Sequence, residues 1–183
     1  HDCLHGFLVG RGTGTATAEA KLAQECVYLE QEAFYVIFIN LMKLYDAMDR
    51  ECCLAILRAY EVGPNMLRLI ERFWEEAVLA CQASGCFGQP FKAYRGVTQG
   101  GPLSPRLFNI IVDAVVREWM RRCIGAEAAA NGYGMNVWQF LAIVYADDAF
   151  IAARKPRNLQ LALDILVELF ERVGLRTNTL KTK

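Results

Sequence analysis

Apolar runs that stop on polar tips constrain this chain more than any other feature. Tyr35-Val36-Ile37-Phe38-Ile39 reads as a buried strand that ends on Asn40. Far along the chain, residues 140–146 and 149–153 read as two more apolar strands, joined at Asp147-Asp148. Strands this apolar need covering elements, and the sequence supplies them. Residues 15–32 and 48–60 read as helices, the second stopped by Gly63-Pro64. Residues 65–74 follow with Leu67, Ile70 and Phe73 on one side, and 78–83 and 90–94 read as two strands around a turn at 84–88. Ser104-Pro105 suits a helix start, Ser as cap and Pro in the first turn. Leu107, Phe108, Ile111, Val112, Val115 and Trp119 then keep helical spacing up to a small-residue loop at 125–134. A last helix opens at Pro156, turns Leu159, Leu163, Leu166 and Phe170 inward, and ends at Gly174. Strands and helices interleave without strict βαβ repetition, so the expected class is α+β: an antiparallel sheet with helices packed on one face.

The chain's 183 residues, 54% of them hydrophobic, suffice for one domain with a real core. No apolar run approaches the ~20 residues that cross a bilayer, and no membrane partner is expected. Seven cysteines, with Cys52 and Cys53 adjacent and no paired CxxC spacing, read as reduced thiols of an intracellular protein of cytoplasm or nucleus. His1, Cys3 and His5 could meet a metal, but they sit at a terminus expected to fray. The formal net charge is zero, which argues against strong autonomous binding of nucleic acid. That charge is uneven: Glu19, Glu25, Glu30 and Glu32 make the early helix acidic, while Arg154, Lys155, Arg157, Arg172, Arg176, Lys181 and Lys183 make the last stretch basic.

Asp147 and Asp148 have two readings. Asp favours solvated hairpin turns. Facing a cleft instead, two adjacent carboxylates repel each other until one protonates or a cation neutralises them. Hard oxygens suit Mg²⁺, and two such ions about 4 Å apart can stabilise the attacking and leaving oxygens of a phosphoryl transfer. That chemistry needs a further carboxylate from elsewhere. The loop 96–101 is equally double: an ordinary connection before a core helix, or a glycine-rich surface, with Gln99 between Val97-Thr98 and Gly100-Gly101, on which a nucleotide could lie.

Four blocks in order resemble the palm of a reverse transcriptase of the non-LTR retrotransposon and group II intron type. Residues 38–49 are similar to the first palm block, F-[IV]-D-[LF]-x-K-A-[FY]-D. Residues 96–113 resemble the second, G-V-x-Q-G-x-x-L-S-P-x-L-F-N. Residues 145–148 spell the YADD box, and Gly174-Leu175, Asn178 and Lys181-Thr182 resemble the fourth, G-L-x-x-N-x-x-K-T. Residues 5–22 resemble the fingers segment before the palm. The resemblance implies a polymerase palm fold with part of the fingers, divided at 1–33 and 34–183, with the thumb absent. It implies RNA-directed DNA synthesis on an RNA template and DNA primer with dNTP, using Mg²⁺ or Mn²⁺. The metal-binding acids fall on position 40, Asp147 and Asp148, with the Leu41 carbonyl near a metal. Tyr45 takes the place of the aromatic that reads the sugar 2′-hydroxyl, and Gln99, Gly100 and Tyr145 fall around nucleotide and template. Lys181 falls where a lysine is thought to protonate pyrophosphate; a solvated lysine is its other reading.

Against that pattern, position 40 holds Asn40 rather than aspartate. An amide has one neutral oxygen for a metal and cannot bridge two cations. A unit charge about 3 Å from a divalent ion represents on the order of 10 kcal/mol of gross attraction at an effective dielectric of ~20, much of it offset by desolvation. Even a few kcal/mol lost from a transition state costs powers of ten in rate. Leu44 stands where alanine is usual and Leu8 where arginine is usual. The expectation is a reverse transcriptase fragment with weakened metal binding and impaired catalysis. The alternative is a non-catalytic nucleic-acid-binding or scaffolding domain that keeps the palm fold. Weak, salt-sensitive nucleic-acid binding and self-association through exposed strand edges are expected of the piece alone.

Overall fold

β1 (Tyr35–Met42) is the strand on which the sheet is built. In the computed structural model, which describes residues 3–98, 100–131, 140–179 and 181–182 (44, 126–131 and 140 by backbone alone), its burial alternates from Phe38 onward. Ile39 and Leu41 are buried, while Phe38 and Met42 are exposed. One face therefore meets the core and the other stays open. β1 pairs antiparallel with β5 (Asp148–Ala153), placing Asn40 opposite Asp148 and Phe38 opposite Phe150. β5 pairs in turn with β4 (Phe140–Tyr145), Tyr145 opposite Asp148. β6 (Arg176–Thr177) lies on the other side of β1, so the strand order is β4-β5-β1-β6.

Two long helices, α5 (Ser104–Asn131) and α6 (Pro156–Arg172), cover the core face. Ile111, Val112, Val115 and Val116 of α5 and Leu166, Leu169 and Phe170 of α6 are buried with Ile39, Leu41, Ala149 and Ile151. The Trp119 indole N–H donates to the Ala162 carbonyl at 2.7 Å, fixing α5 against α6 while satisfying a buried polar atom. α1 (Thr13–Leu29) lies instead along the open face, where Ala16, Thr17 and Ala20 approach Phe38 and Phe150. Between β1 and α5 come α2 (Leu44–Ala47), α3 (Arg50–Ala59) and α4 (Pro64–Glu76). The Asp49 carboxylate caps α3 by accepting from Cys52 N–H at 3.0 Å. The α+β class expected from the sequence, an antiparallel sheet with its two long helices on one face, is the class observed.

Several local expectations fail, each for a physical reason. α5 does not stop at Gly125; the alanines and glutamate at 126–130 are strong helix formers and outweigh the roughly 1 kcal/mol cost of one glycine. Residues 132–139, the rest of the expected loop, lie outside the described residues. The hairpin is tighter than expected: β2 (Gln82–Ala83) and β3 (Cys86–Phe87) flank Ser84-Gly85, both with positive φ, as a two-residue primed turn demands. Of the expected second strand, only a Phe91–Leu79 bridge forms. Ser104 does not act as a cap through its hydroxyl, which donates to the Thr98 carbonyl at 2.6 Å. The start of the chain is not frayed from residue 3 onward: Leu4 bridges Val144 in parallel, and Cys3 and His5 are buried. All seven cysteines are outside disulfides. Among the described residues no helix is long and apolar enough to cross a membrane.

Candidate functional site

The sheet brings the polar tips together. Asn40 and Asp148 are cross-strand partners on the open face. Asn40 Nδ2 donates to Asp148 Oδ1 at 3.0 Å. The reversed amide would set two acceptor oxygens against each other, so the carboxylate fixes the side chain's orientation. The backbone holds the pair from both sides: Leu41 N–H donates to the Asp147 carbonyl at 2.8 Å, and Asn178 N–H donates to the Asn40 carbonyl at 2.8 Å. Asp147 sits in the turn of the β4–β5 hairpin, preceded by Ala146 at φ 51°, a left-handed conformation that costs a non-glycine residue about 1–2 kcal/mol. The expected meeting of the first tip with the acids is thus realised by direct contact to Asp148 and by backbone linkage to Asp147.

A cavity of about 500 Å³ opens beside this pair, between α1 and the open face of the sheet. Asn40, Asp148, Tyr145 and Lys181 supply its polar wall, and Phe38, Phe150, Ile143 and Ala20 much of its apolar one. Phe38 and Phe150 meet edge to face, ring centroids 5.3 Å apart. A mostly apolar cleft with a few convergent polar groups is the usual form of a ligand site.

Leu41, Tyr45 and Gly100 do not line this cavity. Tyr45 packs against Phe108, centroids 6.1 Å apart, and its carbonyl accepts from Val97 N–H at 2.7 Å. Burial, and then the negative charge of Asp147, push the Tyr45 phenol above its ordinary pKa. Leu41 is buried and pairs with Thr177 of β6. Gly100 has φ +83° and is exposed; it is not on the cavity wall. Gln99, and the side chain of Leu44, lie outside the described residues. Gly96 is indispensable to the docking of this loop: with φ +77°, it lies so close to α2 that a Cβ would sit 2.8 Å from Asp46 Cα. Arg50 clamps the same segment, Nε donating to the Gly96 carbonyl at 2.8 Å and a terminal nitrogen to Ala93 at 2.7 Å, with its guanidinium 5.5 Å from the Trp74 ring centre.

The residues at the tips do not fit a carboxylate-bridged pair of divalent ions. One Asp148 oxygen already accepts the Asn40 amide, which presents a nitrogen rather than an oxygen to it. Among the described residues no group of three His, Cys, Asp or Glu side chains could hold a metal. What remains is a pair of exposed aspartates and a neutral amide.

The sequence reading missed the α1 wall of the cavity and the Phe38–Phe150 contact. Both had a signal: Ala16, Thr17 and Ala20 form a small-residue face at helical spacing, and Phe38 lies two residues before Asn40, hence on the same strand face.

Comparison with known proteins agrees with this architecture. In Drosophila melanogaster, the retrovirus-related Pol polyprotein of the type-2 retrotransposable element R2DM is 27% identical over 94% of this chain. The corresponding polyprotein of a type-1 R2 element in Nasonia vitripennis is 25% identical over 92% of it. The chain spans 16% of each of those proteins. Apo telomerase of Candida tropicalis superposes on the whole chain with a TM-score of 0.74 at 14% identity, the chain covering 33% of it. A telomerase of the same organism truncated from its C-terminal domain gives 0.71 at 16%, with 36% covered. The family description "Reverse transcriptase (RNA-dependent DNA polymerase)" matches residues 1–183 from end to end. The chain is thus a member of the reverse transcriptase family, of the non-LTR retrotransposon kind.

Proposed function

We propose that this chain is the palm of a reverse transcriptase, residues 34–183, with a piece of the fingers in 1–33, and that its nucleotidyl-transfer site is severely impaired at Asn40. The observation that carries the reading is the Asn40–Asp148 hydrogen bond. It satisfies one carboxylate oxygen with a neutral donor, at the strand pair where the family resemblance expects an acid. The functional assignments follow the resemblance. Asp147 and Asp148 are the remaining anionic groups, and Tyr145 and Lys181 line the cavity together with Asp148. Tyr45, the Leu41 carbonyl, Gln99 and Gly100 form the nucleotide side. Divalent ions, Mg²⁺ or Mn²⁺, bind here more weakly than at a site with an acid at position 40. The partners are an RNA template, a DNA primer and a dNTP, gripped weakly and in a salt-sensitive way because the chain carries no net charge.

Primer extension tests this reading, with the chain set in a longer polypeptide that supplies fingers and thumb. Asn40→Asp raises extension by several powers of ten over the parent; equally robust extension by both sinks the proposal. A second reading, a non-catalytic nucleic-acid-binding or scaffolding domain that keeps the palm fold, is favoured by the same neutral pair. It is separated by Mn²⁺ titration followed by NMR. Tight paramagnetic broadening centred on Asp147 supports a residual metal site, and its absence supports the scaffold.

A further inference from the structure

A histidine is buried beside the outer edge of β4. His5 is 4% exposed. Its Nε2 lies 2.8 Å from Glu19 Oε2 and its Nδ1 2.9 Å from Thr15 Oγ1, both on α1. The backbone His5 N–H donates to the Val144 carbonyl at 2.9 Å, and Val144 N–H donates to the Cys3 carbonyl at 2.9 Å, so the segment 3–5 is held to the edge of β4 by a parallel bridge. The next residue, Gly6, lies against the hairpin turn; a Cβ there would stand 2.7 Å from Ala146 N. Asn109 of α5 fixes the Gly6 carbonyl at 2.8 Å. The chain thus passes from α1, through one imidazole, to the backbone that supports the turn carrying Asp147.

We propose that His5 is a positioning residue: bonded at once to Thr15 and Glu19, it lashes helix α1 to the edge of β4, so that Gly6 underpins Ala146 and the Asp147-Asp148 turn keeps its place beside Leu41. Helix α1 and the acidic hairpin, which together wall the cavity, then move as one body. This concerns where the hairpin lies, and it stands whether or not the site still transfers nucleotides.

Backbone amide exchange followed residue by residue tests the assignment. The reporters are Val144 N–H, bonded to Cys3, and Leu41 N–H, bonded to the Asp147 carbonyl. In His5→Phe, which keeps an aromatic ring, slightly larger, and loses both polar contacts, these two amides exchange about tenfold faster while core amides such as Val116 and Ile151 keep their protection. Glu19→Leu, a change on a half-exposed side chain, reproduces the effect should His5→Phe fold poorly. Glu19→Gln, whose side-chain oxygen still accepts from the imidazole, restores parental exchange. Unchanged Val144 and Leu41 protection in Glu19→Leu overturns the proposal. So does acceleration spread evenly over the core, which marks general destabilisation rather than positioning.

Discussion

Replacing Asn40 by aspartate tests the chemistry of the site without asking for catalysis. The change deletes the 3.0 Å hydrogen bond to Asp148 and places two carboxylates at directly opposed strand positions. A hydrogen bond to a charged acceptor contributes about 1.5–3 kcal/mol when shielded. Two like charges 4 Å apart repel by about 4 kcal/mol at an effective dielectric of ~20. Asp148 is exposed, however, and water screens both effects toward the ~0.2–1 kcal/mol typical of surface pairs. A net loss of about 0.4–2 kcal/mol in metal-free buffer follows, roughly 1–8 °C in melting temperature for a chain this long. Divalent ions reverse the sign. A ligand held only by the folded state stabilises by about 2.7 kcal/mol at a hundred times its dissociation constant. The assay is a pair of urea or thermal melts with EDTA and with Mg²⁺ at matched ionic strength. The parent responds little to Mg²⁺; Asn40→Asp is less stable without it and regains or exceeds parental stability with it. Identical metal responses in the two proteins would refute the reasoning, because the pair would then not be standing where a cation is needed.

Three further outcomes follow from the packing around the site. Gly96→Ala forces a left-handed alanine and a Cβ into α2 and lowers stability by about 2–5 kcal/mol, read from urea midpoints; Gly125→Ala, on an open helix surface, raises it by about 0.5–1 kcal/mol. Arg50→Met leaves the Gly96 and Ala93 carbonyls without their donor and costs about 2–4 kcal/mol, and Arg50→Lys recovers little, because an ammonium cannot span the same fork; chemical denaturation of the two variants decides this. Hydrogen bonds from Arg121 and then Arg122 hold the Glu118 carboxyl at about 2, against 4.5 ordinarily. The folded value is the lower one, so this contribution is complete above about 4.5 and is lost as pH falls toward about 2. In Glu118→Gln the denaturation midpoint therefore varies less with pH across that window than in the parent.

Much of this fold was legible because its strongest elements carry dense local signals. β1, β4 and β5 are continuous apolar runs, and α5 and α6 keep an unbroken apolar face. What escaped were contacts that only the tertiary structure decides. α2 is four residues long and follows Lys43 in a left-handed conformation; it is held by the loop at Gly96 and by Gly174, where a Cβ would lie 3.0 Å from the Ala47 carbonyl. No window of sequence around Leu44 encodes that. β6 forms because Leu41 and Met42 offer it an edge, a long-range cause for a two-residue element. At the site, the identity of the polar tips was readable, but which acid would meet Asn40 was not: that depends on a two-residue turn, which puts Asp148, not Asp147, in register with it.

The arrangement at residue 40 separates what holds the fold from what performs chemistry. The place of Asn40 is set by its backbone, whose carbonyl accepts from Asn178, and by Leu41, whose N–H is bonded to Asp147. Neither bond involves the side chain. The β1–β5 register is set over six residue pairs, from Tyr35–Ala153 to Asn40–Asp148, and a slip by one would turn Ile39 and Leu41 out of the core. An aspartate-to-asparagine change at this position therefore meets no resistance from the sheet, and the new amide relieves the repulsion that a second carboxylate brings when no cation is bound. Exchanging a carboxylate for an amide here is structurally cheap in a way that loss of Gly96 or Ile39 is not. The same logic predicts that Asn40→Ala leaves the β1–β5 register intact, with cross-strand NOEs between Phe38 and Phe150 unchanged. If that pair separates in Asn40→Ala, the amide is holding the sheet together, and the exchange of side chains at position 40 is not neutral for the fold.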